Sequence, residues 1–152
     1  MRMGKKIAIG FGILLVVITA VYFLWPDPIK KDIKLFVEEY NASILNCYDV
    51  IETEAQKITS YTLVSEFEYS VEQVMIPEID DTISKVQAIP LQTAEVMVMR
   101  NKYVDLMKNE KNCYQKLVYA VKLRDQGRIN EVYTLINDIE TLRTQYDKEF
   151  TE

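Results

Sequence analysis

The chain has no histidine and few residues of the kinds that mark special chemistry or irregular backbone. Its 152 residues include two cysteines, four glycines and four prolines. Without histidine it lacks the commonest general base, the usual zinc and haem ligand, and the side chain that titrates near neutral pH. Two cysteines cannot complete a structural zinc site on their own. We therefore predict no catalytic residue, no metal site and no cofactor, and we do not expect an enzyme.

The scarcity of glycine and proline also indicates long stretches of regular backbone. With 49% hydrophobic and 27% charged residues, the composition is typical of a globular, helix-rich protein and not of a disordered one. A chain of this length suits one domain.

The longest uncharged stretch is IAIGFGILLVVITAVYFLW, residues 7–25. At about 1.5 Å per residue, a helix of this length spans roughly 28 Å, close to the hydrocarbon thickness of a bilayer. Residues 1–6 form a short basic tail, and such a tail normally stays in the cytoplasm. We predict that residues 7–25 are a single transmembrane anchor in contact with membrane lipid, with residues 28–152 outside the cytoplasm.

The alternative for this segment is a secretory signal cleaved near Ala20, which would release the remainder as a secreted protein. The apolar run continues through residues 21–25, where a cleaved signal should become polar. That continuation favours the anchor.

The charge of the chain bears on its partners. The net charge is −5, and without the three basic residues of the tail the remainder carries −8. An acidic body of this kind is repelled by polyanions, so we expect no nucleic-acid partner.

Beyond Pro28 the apolar residues recur at helical spacing, which predicts an all-α fold. Separations of three and four connect the apolar residues of a first helix, which are Ile33, Phe36, Tyr40, Ile44, Cys47, Ile51, Ala55 and Ile58. A second helix is expected to bury Leu63, Phe67, Val71 and Val74, and then, on a shifted phase, Ile76, Ile79, Ile83 and Val86. Pro77 lies at the phase shift, where we predict a kink or a fresh helix start.

Two further helices complete the prediction. The third runs from about Thr93 to Asp125, and Gly127 is expected at its C′ position, where glycine adopts the left-handed conformation cheaply. The apolar residues of the fourth are Ile129, Val132, Ile136, Ile139, Tyr146 and Phe150. Four amphipathic helices with short connections predict an antiparallel, up-down-up-down four-helix bundle after the transmembrane helix.

Both cysteines lie in Asn-Cys-Tyr triplets, at Cys47 and Cys113. In the predicted bundle the first and third helices are parallel, so the two thiols should share a layer. Diagonal helices leave about 7–9 Å between the Cα atoms, and a disulfide requires roughly 7 Å or less. The two alternatives are therefore a pair of buried thiols and a disulfide, while a redox site lacks its Cys-x-x-Cys motif.

The stretch KNEKN, residues 108–112, places five polar residues in succession on the third helix. Because five residues exceed one helical turn, Glu110 is expected to face the core. One interpretation is a polar layer at mid-bundle formed by Asn46, Glu110 and Asn112 above the two cysteines. The other is a local unwinding of the helix or a water-exposed face of an uneven bundle.

These observations favour a membrane-anchored, extracytoplasmic helical bundle that acts by contact with a protein partner and has no catalytic role. One alternative is a module that binds a small molecule or peptide in a pocket between helices, near Pro77 and the polar layer. A carboxylate or thiol enzyme is the least favoured hypothesis.

Overall fold

Four helices contain most of the residues that the computed structural model describes, which are 26–58 and 62–149. Helix α1 spans Asp27–Lys57, α3 spans Ala94–Lys122 and α4 spans Gln126–Glu149. Helix α2 has three successive stretches, Val64–Tyr69, Ser70–Met75 and Ile76–Gln87. These residues include no strand, which confirms the all-α prediction.

The predicted tail and anchor, residues 1–6 and 7–25, lie outside the described residues. Among the helices that the structure does describe, none combines the length and the apolar character needed to cross a bilayer.

Helix α1 buries the stripe that its spacing predicts. Pro28 lies in the first turn, where a backbone N–H would have no helical acceptor, so proline is tolerated there. The helix ends at Ile58, whose backbone is extended. All eight predicted apolar residues are buried, with exposures from 0% at Phe36 to 8% at Ile58.

Helix α2 contains a π-helical stretch, Ser70–Met75, between two α-helical ones. Its buried residues Phe67, Val71, Met75 and Ile79 are spaced by four. In an α-helix a four-residue step turns about 400°, so three steps rotate the stripe by about 120° away from the core. The wider π-helical turns absorb roughly one extra residue and return the stripe to the same face.

The prediction of which residues are buried in the first half of α2 is partly wrong. Leu63 is 63% exposed because it precedes the first turn, and Val74 and Ile76 are only half-buried. The π-helical stretch instead turns Met75 into the core, where it is 0% exposed. A uniform helical period cannot predict this exchange.

Helix α3 ends at Lys122, three residues before its predicted end at Asp125. Arg124 is the residue in the left-handed conformation, with φ of 53°. Its N–H donates to the carbonyl of Val121, and the N–H of Asp125 donates to Ala120, which is a Schellman motif. The prediction that Gly127 is the C′ residue is therefore wrong, because Gly127 lies inside the first turn of α4.

Asp125 begins α4 by capping it. Its Oδ1 accepts a hydrogen bond from the backbone N–H of Arg128 at 3.1 Å, and its carboxylate also pairs with the Arg128 side chain. An acceptor at this position satisfies one of the free N–H groups at a helix start.

Helix α3 packs against each of the other helices, and α1 also packs on α2. Near the start of α1, Phe36 and Tyr40 contact Tyr103 of α3, with ring centroids 6.0 and 5.3 Å apart. Asp32 connects the same region to the α2–α3 turn. Its Oδ2 accepts hydrogen bonds from the N–H groups of Gln92 and Thr93, both at 2.6 Å, and from the Thr93 hydroxyl.

The opposite end of the helical bundle contains the end of α1, the start of α2 and the α3–α4 turn, and we call it the far end. Two contacts bring these elements together. Ser70 of α2 donates to Glu54 of α1 at 2.9 Å, and Lys122 of α3 pairs with Glu68 of α2. At about 1.5 Å per residue, the 31 residues of α1 separate its two ends by about 46 Å.

Candidate functional site

A buried ion pair connects α3 and α4. Glu110 is 4% exposed and Arg143 is 8% exposed, and the guanidinium donates a hydrogen bond to the Glu110 Oε1. The other carboxylate oxygen, Oε2, is buried and has no hydrogen-bond partner among the described residues. Burial raises the pKa of Glu110 to about 7, although the charge of Arg143 opposes the rise.

Both cysteines and Tyr114 of α3 lie close enough to this carboxylate to feel its charge, and Thr82 of α2 contacts Cys47. Burial raises the pKa of Cys47 to about 12; the hydroxyl of Thr82 offsets part of the rise, and the negative charge of Glu110 adds to it. Burial also raises the pKa of Tyr114, again with a contribution from Glu110. The interior here therefore disfavours negative charge on every neighbouring group.

Only one member of the predicted polar layer lies in the interior. Glu110 is buried, whereas Asn46 and Asn112 are exposed. Each asparagine directly precedes a buried cysteine, and adjacent helical positions point about 100° apart. The layer of Asn46, Glu110 and Asn112 is therefore not formed. Asn46 instead donates a surface hydrogen bond to Glu78 at 2.8 Å.

The two cysteines are buried and not bonded to each other. Cys47 is 0% exposed and Cys113 is 4% exposed, and both are free thiols. Burial raises the pKa of Cys113 as well, so both remain protonated near neutral pH. A protonated thiol is a poor nucleophile and a poor metal ligand.

Pro77 lies at the junction between the π-helical stretch and the α-helical stretch that follows it. The N–H of Ile76 reaches back five residues to the carbonyl of Val71. The proline thus occupies the first turn after an irregular one, where its missing N–H is tolerated. The kink itself remains a prediction.

Arg143 is the interior residue that the sequence argument missed. It interrupts the apolar stripe of α4 between Ile139 and Tyr146. Glu110 interrupts the stripe of α3 between Leu106 and Cys113 in the same way. Two opposite charges that replace apolar residues on two stripes could have predicted a buried pair.

Exposed apolar side chains concentrate at the far end. Nine large hydrophobic residues of the described chain are exposed, and five of them lie there. These five are Leu63, Val64, Tyr69, Tyr119 and Leu123. A large side chain such as Tyr69, at 65% exposure, leaves much apolar area in contact with water, and a partner that covers it would remove that area from water.

A cleft of about 620 Å³ opens at the same end, between α1 and α2. Glu54, Lys57, Ile58, Thr62, Ser65, Glu66, Tyr69, Ser70 and Val74 line it. The pocket expected near Pro77 and the polar layer shares none of these residues.

The described residues contain no group of three or more cysteine, aspartate or glutamate side chains arranged to hold a metal ion. Inside, these residues place an ion pair near two buried thiols, and at the far end they expose apolar side chains beside the cleft. In comparisons with known proteins, no family model, curated protein or solved structure matches the chain.

Proposed function

We propose that the chain is a single-pass membrane protein that acts by binding a protein partner and has no catalytic role. Residues 7–25 anchor it in the lipid, its N-terminus is cytoplasmic, and residues 28–152 form an antiparallel four-helix bundle outside. The support for the anchor is the length of the uncharged segment and the basic tail before it.

The observation that carries the proposed binding role is the concentration of exposed apolar side chains at the far end. Helix α1 begins within a few residues of the anchor, so the far end is held about 46 Å along α1 from that attachment. Exposed aromatic and aliphatic side chains are typical of the centre of protein interfaces.

The partner is tested by photocrosslinking in intact cells of the native host. A photoreactive amino acid replaces Tyr119 or Leu123 at the far end, or Glu39 on an exposed turn of α1 as a control. We expect covalent adducts with another protein from the two far-end positions and none from position 39. Adducts at all three positions in equal yield, or at none, would contradict the proposal.

The side of the membrane is tested independently with a Ser84→Cys variant. Ser84 is exposed, whereas both native thiols are buried and give little background. A membrane-impermeant maleimide should label this variant in intact cells. Labelling only after lysis would place the bundle in the cytoplasm.

The cleft supports a second candidate, the binding of a small molecule or peptide. Its volume of about 620 Å³ lies within the usual range of ligand pockets. The discriminating observation is the size of the bound species recovered with the purified full chain: native mass spectrometry would detect a small molecule as a discrete mass increment.

A further inference from the structure

The α2 side of the far end is unusually rich in negative charge. Between Ile58 and Pro77 the sequence has three carboxylates, Glu66, Glu68 and Glu72, and no lysine or arginine. Glu68 meets a cation from α3, since it pairs with Lys122. Glu66 and Glu72 have no lysine or arginine within ion-pair distance among the described residues.

These two carboxylates flank the most exposed aromatic ring of the far end. Glu66 lies three positions before Tyr69 and Glu72 three positions after it. Because the buried residues of this part of α2 repeat every four positions, the two carboxylates lie on opposite sides of the exposed ring. Tyr69 and Glu66 also line the cleft, and the side chain of Val74 supplies an apolar wall there.

The chain itself shows what such a ring can bind. Arg128 lies over the Tyr119 ring at 5.2 Å from its centroid, and Lys102 lies over Tyr146 at 4.8 Å. Among the described residues no cation covers Tyr69. An aromatic face between two carboxylates attracts a guanidinium or ammonium group through both cation–π and ionic contacts.

From this arrangement we propose that the cleft and the surface of Glu66, Tyr69 and Glu72 receive a segment of the partner protein in which lysine or arginine adjoins an apolar side chain. This inference rests on the proposed function, because it specifies the chemistry of the partner. The basic group stacks on Tyr69 between the two carboxylates, and the apolar group enters the cleft beside Val74 and Ile58.

The test is photocrosslinking from position 69 in the full chain, followed by sequencing of the attached peptide. We expect a peptide from another protein that contains lysine or arginine next to an apolar residue. A Glu66→Gln/Glu72→Gln variant should lower the adduct yield about tenfold, the summed effect of two ionic contacts and a weakened cation–π contact. Glutamine can still accept the Leu63 N–H bond that Glu66 accepts at 3.1 Å, so the start of α2 is preserved.

A Glu38→Gln/Glu39→Gln variant is the matched control. It removes the same charge from exposed positions of α1 away from the far end, and it should leave the adduct yield unchanged. High salt should lower the yield with the wild-type residues and have little effect on the Glu66→Gln/Glu72→Gln variant.

The remaining outcomes separate this inference from the proposed function. Adducts that survive the Glu66→Gln/Glu72→Gln change, that join a peptide without lysine or arginine, or that join a second copy of this chain would overturn the inference alone. Adducts from Tyr119 and Leu123 but not from position 69 would do the same. An absence of adducts from every far-end position would overturn both.

Discussion

Arg143 of α4 reaches Glu110 of α3 inside the protein, where both side chains are buried. Taking both charges out of water costs free energy that their attraction only partly returns. The pair therefore fixes the position of α4 on α3 more than it adds to stability. Replacing one residue of the pair should lower the free energy of unfolding, whereas replacing both should leave it unchanged or raise it.

Replacing Arg143 alone with leucine should lower the free energy of unfolding by about 3–5 kcal/mol at pH 8, because Glu110 is left buried without its cation. The Glu110→Leu/Arg143→Leu double variant should match or exceed the wild-type stability. Urea unfolding of the full chain in detergent, followed by far-UV circular dichroism, measures both. Lys108→Ala, which breaks an exposed pair with Asp105, is the control and should change stability by less than about 0.5 kcal/mol. A double variant as unstable as the single one would contradict the expectation.

Stability should also fall as the pH rises through the range in which Glu110 ionises. Its folded pKa, about 7, lies above the ordinary value of 4.5, so the folded state holds this proton more tightly than the unfolded state. The stabilisation from that proton is complete below pH 4.5 and is lost as the pH approaches and passes 7. Glu110→Gln should therefore become more stable relative to wild type between pH 5 and pH 8. An unchanged difference between the two proteins across this interval would show that Glu110 is already ionised at pH 5.

Asp32 should have the opposite pH dependence. Burial alone would raise its pKa, but the hydrogen bonds from Thr93 and Gln92 outweigh burial and hold the pKa below 3.8. Its stabilisation is therefore present above the unfolded pKa and is lost as the pH falls through the lower folded value.

Asp32→Ala should cost about 1–3 kcal/mol at neutral pH, because it leaves backbone donors of the α2–α3 turn without their acceptor. Hydrogen exchange at the amides of Gln92 and Thr93 should accelerate, while that of the α1 core amides should change little. Asp27→Ala is the control, since that side chain is 99% exposed. Unchanged exchange at Thr93 would mean that Asp32 does not hold the turn.

Arg124→Gly should stabilise the chain by about 0.5–1 kcal/mol. The residue has φ of 53°, which strains any side chain with a Cβ, and glycine removes that strain at some cost in unfolded-state entropy. Arg128→Gly, the same change at a helical position, also loses the pair with Asp125 and the contact with Tyr119, so it should instead lower stability by at least about 1 kcal/mol. Thermal unfolding of the two variants beside wild type gives the comparison, and a loss of stability in Arg124→Gly would contradict the turn described here.

Both thiols should resist alkylation in the folded protein. Cys47 and Cys113 are buried, and their raised pKa values leave little thiolate at pH 8. We expect labelling by iodoacetamide to be at least about tenfold slower than in urea, with both sites labelled together on unfolding. Rapid labelling of one cysteine alone would show local opening around it.

The sequence predicted α1 well because its apolar residues obey a single helical period and meet a core on one side only. Helix α2 was harder for a physical reason: its four-residue spacing fits no uniform α-helix, so the core position could not be assigned between Val74, Met75 and Ile76. The turn at Arg124 was missed because glycine is the usual left-handed residue and Gly127 lay nearby.

The candidate site was less predictable than the fold. Glu110 was found because a run of polar residues longer than a turn must place one of them inside. Its partner Arg143, and the exposed cluster that includes Tyr69 and Leu123, depend on how helices rotate against each other. Periodicity within one helix does not contain that information.

The three hydrogen bonds that Asp32 accepts from the α2–α3 turn have a mechanical consequence. Tension applied at Pro26 reaches Asp32 after only six residues, and there the load divides between α1 and the α2–α3 turn. Helix α1 therefore cannot peel away from its N-terminal end until three hydrogen bonds have broken together. In a pulling experiment Asp32→Ala should lower the force of the first rupture, and an unchanged force would show that the load bypasses this residue.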